Sequence, residues 1–175
     1  MQLANQTFYF AVFIVLTGLM ARFLANKDDD RAQFRVIYWP AGLSFLSASM
    51  LGFACAPWGG KLILALANIF LLAGMANISL LFSYWNSALN YLNKLIIGVL
   101  FIASSAAYLY LQHFGDTQER IHLMNGALSL FCLWQIVVLM QLLRKDNAYQ
   151  IKILLGVELF QLITRIGRSL VAFAE

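Results

Sequence analysis

The sequence predicts an all-α fold: a polytopic transmembrane bundle of six helices, built as one domain, with the N- and C-termini both outside. Three observations carry that expectation. Of 175 residues, 62% are hydrophobic and only 11% charged, where a soluble domain has roughly 45–50% and about 25%. The apolar residues fall into runs at 7–25, 36–56, 62–83, 94–112, 121–143 and 150–173; about 20 residues rising 1.5 Å each cross a hydrocarbon core of about 30 Å. No stretch between them is long and polar enough to form a separate soluble domain.

The first run has no Lys or Arg before it and no small-x-small cleavage site after it, so it reads as a retained helix, not a signal peptide. Its basic residues follow it: Arg22, Lys27, Arg31 and Arg35, around a solvated turn at Asp28-Asp29-Asp30. The second run opens on Tyr38 and Trp39, where an aromatic belt belongs. It places Pro40 in the first turn or two, where a missing N–H does least harm. Ser44, Ala48, Gly52 and Ala56 recur every four residues, a strip of small side chains that admits close helix packing, inside the bundle or against a lateral neighbour. Pro57-Trp58-Gly59-Gly60 is a turn signal.

The third run contains Asn68 and Asn77, nine residues apart and so on opposite faces, which reads as packing contacts and not as an ion path. It ends at Tyr84 and Trp85, and residues 86–93 make a short polar linker. The fourth run closes on Tyr108, Tyr110 and His113. After a short loop, the fifth runs to a stop at Arg144-Lys145-Asp146-Asn147. The sixth is the last stretch of the chain.

Charge orients these runs. Loops one, three and five hold Arg22, Lys27, Arg31, Arg35, Lys94, Arg144, Lys145 and Lys152, against Lys61 and Arg120 on the other side. The odd loops are therefore expected in the cytoplasm. A chain with a cytoplasmic C-terminal domain would need one more crossing after Glu175. The net charge of +4 is spread between apolar runs and not gathered on a patch, so nucleic acid is not an expected partner. Lipid is, with the inner basic residues meeting anionic headgroups.

The last run carries the most informative residues. Glu158, Gln161, Arg165 and Arg168 are spaced three, four and three apart, one stripe on a helix. Ionisable groups at membrane depth are expensive and need a polar partner, a cavity or an interface. The fifth run bears a stripe of the same spacing: His122, Asn125, Ser129 and Cys132. A short connection makes the two helices antiparallel neighbours. The expected pairs are His122 with Arg168, Asn125 with Arg165, Ser129 with Gln161, and Cys132 with Glu158. Two readings of this constellation stand: a polar seam that holds helices together, with Gln161 bridging Glu158 and Arg165, or a site in the outer half that clamps a small anion.

Other chemistries find no residues. Cys55 and Cys132 lie inside apolar runs and read as core residues, not as a disulfide or metal motif. His113 and His122 sit near one membrane face, which does not suit a haem. There is no phosphate loop, nucleophile elbow or metal cluster. No cofactor, metal or catalytic residue is expected, and paired broken helices of the transporter kind are missing.

The series Tyr38-Trp39-Pro40, Leu51-Gly52, Pro57, Trp58, Ala67-Asn68 and Gly74 resembles the membrane-sensor region that precedes GGDEF domains in bacterial diguanylate cyclases. The Arg144 loop and Arg165 fit the same pattern. The resemblance implies a helical input module in the bacterial inner membrane, in a homodimer or a larger membrane complex, and it carries over no catalytic residue. The sequence ends at Glu175 without a GGDEF motif, so any cyclase activity would belong to a C-terminal domain absent from this chain. Two functions follow as expectations: a non-catalytic sensory module that binds a small anion, or an accessory subunit packed laterally in a membrane complex.

Overall fold

The computed structural model describes residues 7–9, 11–15, 35–86, 90–145 and 149–174, the side chains of 35, 36, 150 and 168–174 excepted. Among these residues the protein is all-α, with five helices. They are α1 (helical at 7–9 and 11–15), α2 (Arg35–Trp85), α3 (Tyr91–Phe114), α4 (Thr117–Lys145) and α5 (Tyr149–Ala174). The first predicted run beyond residue 15 and the Asp28-Asp29-Asp30 turn lie outside the described residues.

The expectation of six helices is corrected to five. The second and third predicted runs join without a loop into one 51-residue element, two helical limbs that meet at a single non-helical residue, Gly60, with Pro40 and Pro57 inside it. The physical reason is economy at the turn. Gly60 takes φ 63° and ψ −152°, a region that glycine alone occupies without strain of about 1–3 kcal/mol. The reversal expected over Pro57-Trp58-Gly59-Gly60 is compressed into that one residue.

Two compact units divide the chain, Met1–Ile78 and Ser79–Glu175. In the first, the limbs of α2 on either side of Gly60 fold back on each other. A Cβ placed on Gly52 would lie 2.8 Å from Ala67 Cβ, one on Gly42 3.2 Å from Ile78 Cγ1, and one on Gly74 2.7 Å from Leu46 Cγ. The partners' numbers fall on one limb as they rise on the other, so the limbs are antiparallel. Tyr9 of α1 stacks on Phe53 at 5.4 Å between ring centroids, and Phe45 on Phe70 at 6.0 Å. Of the predicted small-residue strip, Gly52 sits at the closest contact. Ala48 and Ala56 are half-buried and Ser44 is exposed. At the hairpin tip Trp58 is 73% exposed, as befits a side chain of the membrane interface.

In the second unit the starts of α3 and α4 are built from local polar residues. Asn90 caps α3, its Oδ1 accepting from Asn93 N at 2.8 Å. Asp116 and Glu119 form a reciprocal capping box at the start of α4: Glu119 N donates to Asp116 Oδ1 at 2.8 Å, and Asp116 N to Glu119 Oε2 at 3.1 Å. Only Gly115 and Asp116 separate α3 from α4, which makes these two helices antiparallel neighbours, and α4 packs in turn against α5.

Three helices are long and apolar enough to cross a membrane: α2 over Ile37–Trp85, α3 and α4. Among the described residues α5 is not one of them, because Lys152, Glu158 and Arg165 interrupt it. Large apolar side chains such as Ile102, Tyr110, Val137 and Phe160 are more than half exposed. That surface suits acyl chains and would be an aggregation hazard in water.

Candidate functional site

The polar residues of α4 and α5 meet. Asn125 of α4 and Gln161, Thr164 and Arg165 of α5 line a cavity of about 320 Å³. One turn deeper along α5, Glu158 is 7% exposed and shares a hydrogen bond with the thiol of fully buried Cys132. The sequence pairs Asn125–Arg165 and Cys132–Glu158 are thus both brought together. Within the cavity Arg165 Nη2 donates to Gln161 Oε1 at 3.3 Å, and Thr164 Oγ1 donates to the Gln161 carbonyl at 2.8 Å. Ser129 Oγ donates to the Asn125 carbonyl at 2.7 Å, a bond inside its own helix.

The geometry follows from helix direction. Side chains on a helix lean toward its N-terminus, so Arg165 leans toward Gln161 and Glu158. Seven residues separate Glu158 from Arg165, about 10 Å along the axis. Gln161 stands between them and holds the guanidinium.

Three buried polar atoms here have no hydrogen-bond partner among the described residues: Asn125 Nδ2, Arg165 Nε and Glu158 Oε2. Two are donor atoms of residues that line the cavity, and the third is an oxygen of the Glu158 carboxyl. A guanidinium and a side-chain amide beside one cavity suit an anionic acceptor. His122 is half-buried on α4. The side chain of Arg168 lies outside the described residues. Among the described residues no cluster of three His, Cys, Asp or Glu side chains is placed to hold a metal ion.

A second polar cluster escaped the sequence reading. Gln135, fully buried, donates from Nε2 to Ser79 Oγ at 2.9 Å, and Trp134 Nε1 donates to Ser83 Oγ at 3.1 Å. Asn86 Nδ2 donates to Gln141 Oε1 at 2.7 Å, and Lys145 Nζ to the Asn86 carbonyl at 3.0 Å. From Ser79 with Gln135 to Asn86 with Gln141 and Lys145 the numbers on both sides increase, so the last two turns of α2 run parallel to α4. Lys145 completes the seam by binding a carbonyl just past the C-terminus of α2, the end where a cation is favoured. The only advance signal was the spacing of Ser79, Ser83 and Asn86, four and three apart.

No protein-family model, curated protein or solved structure matches this chain.

Proposed function

We propose that this protein is a non-catalytic sensory module of a bacterial inner membrane, and that it binds a small anion between α4 and α5. Arg165 supplies the charge, Asn125 supplies a further donor, and Gln161 orients the guanidinium. The observation that carries the proposal is the cavity between α4 and α5 lined by Asn125, Gln161, Thr164 and the Arg165 cation. Its place along α4 supports an outer-half site: twenty residues, about 30 Å of helix, separate Asn125 from the basic end at Lys145, which the positive-inside rule assigns to the cytoplasm. In this reading both termini are outside and α5 completes the last crossing despite its charges.

The exposed apolar face of α5, with Ile153, Val157, Phe160 and Ile163, supports a second reading, in which the protein is an accessory subunit covered laterally by a larger complex or by its own copy. Purification in mild detergent separates the two. A module recovered alone supports the first, and one recovered only with other chains supports the second.

The direct test is calorimetric titration of the purified protein with acetate and with inorganic phosphate. Wild type binds at least one of them. Arg165→Gln weakens that binding by about tenfold or more, since a charge-assisted hydrogen bond is lost, while its helix content is unchanged. Absence of binding by wild type to either anion overturns the proposal.

A further inference from the structure

Resting on the anion site just proposed, we infer that Glu158 is a proton acceptor coupled to it: one proton is taken up on Glu158 for each anion that binds Arg165. Three observations lead there. Glu158 is 7% exposed, its Oε2 has no hydrogen-bond partner among the described residues, and Arg165 stands seven residues further along the same helix, about 10 Å.

The charges around Glu158 can be enumerated. The helix of its own unit packed against α5 is α4, which contributes the Cys132 thiol. Asn125 and Ser129 are neutral, and His122 stands ten residues from Cys132, about 15 Å along the axis. On α5, Arg165 is the cation that leans toward Glu158, Lys152 is exposed, and Arg168 lies a turn beyond Arg165. With the cavity empty, Arg165 and Glu158 balance each other across Gln161. An anion seated on Arg165 takes over that cation. It leaves a buried carboxylate with one oxygen lacking a hydrogen-bond partner among the described residues, and a poorly compensated buried carboxylate costs far more than its neutral acid.

Protonation resolves the imbalance. The proton comes from bulk solvent, an O–H bond forms on the Glu158 carboxyl, and no other bond changes. Anion and proton together add no net charge to the site. Occupancy of the site then depends on both anion concentration and proton concentration, and so reports their product.

The experiment is anion titration of the purified protein, using whichever of acetate or phosphate wild type binds, between about pH 5 and 8 in buffers of different ionisation enthalpy, with the ionisation of phosphate itself subtracted where phosphate is the ligand. The expected result is uptake of about one proton per anion, with Kd rising about tenfold per pH unit. Glu158→Gln takes up none and binds at every pH with the affinity wild type reaches at low pH. Infrared difference spectra of wild type, independent of that variant, show a protonated carboxyl band appearing with the anion. Binding without proton uptake overturns the coupling and leaves the anion site standing. Uptake that persists in Glu158→Gln overturns the assignment to Glu158. If wild type binds neither anion, the site itself fails and the coupling fails with it.

Discussion

In the helical hairpin of the first unit, the closest approaches are steric. Gly52 lies against Ala67 and Gly74 against Leu46, close enough that a Cβ on either glycine would meet its neighbour at less than 3 Å. In the second unit the closest approaches that fix register are polar: Gln135 to Ser79, Trp134 to Ser83, Asn86 to Gln141, Cys132 to Glu158. The difference is instructive because lipid gives helices little hydrophobic reason to associate, so packing and interhelical hydrogen bonds must do it. One unit relies on the first and the other on the second. A steric contact has no chemistry to spare. A polar contact leaves donors and acceptors at its margins, and the cavity beside Arg165 is such a margin.

The largest expected effect tests the steric half. Gly52→Leu drives a side chain into Ala67 and costs about 1–3 kcal/mol or more. The control is Gly126 of α4, where a Cβ meets nothing within 4 Å, and Gly126→Ala is neutral or slightly stabilising through helix propensity. Unfolding in mixed detergent micelles measures both. Equal losses at the two glycines would mean that helix propensity, and not the Gly52–Ala67 approach, sets the cost.

A smaller effect tests the polar half. Gln135→Leu keeps most of the volume of a fully buried side chain but removes the bond to Ser79. The expected loss is about 0.6 kcal/mol, with an upper bound of about 1.7. A gain in stability in the same assay would show that the seam is not what holds α4 to the end of α2.

How much of this was legible follows the distance over which each contact acts. Apolar runs are local, so most of the helices could be read directly, and the turn at Gly60 was flagged by Pro57 and two glycines. The meeting of α4 with α5 was readable because a short connection forces two matching polar stripes together. The seam from Ser79 to Asn86 was not, because its partners lie more than 50 residues away, and serines in an apolar helix look alike whether they bond across helices or within one. The small-residue strip was read partly off its face. Period four is common to several lines on a helix, and the limb that returns, with Ala67 and Gly74, decides which line is buried. The helix count was set by a dihedral angle at one glycine, which spacing does not encode.

The smallest effects separate the two halves most cleanly, because they use one residue type. Ser79 and Ser49 are both fully buried. Ser79 Oγ accepts from Gln135, whereas Ser49 Oγ has no partner among the described residues. Removing one partner of a buried hydrogen bond strands the other, while removing an unpartnered hydroxyl relieves a desolvation cost. Ser79→Ala therefore destabilises by about 0.6 kcal/mol, and Ser49→Ala changes stability by a few tenths in the opposite direction. The sign is the readout, not the size. If both substitutions destabilise alike, Ser49 also bonds across its helix pair, and the first unit is held by polar contacts after all.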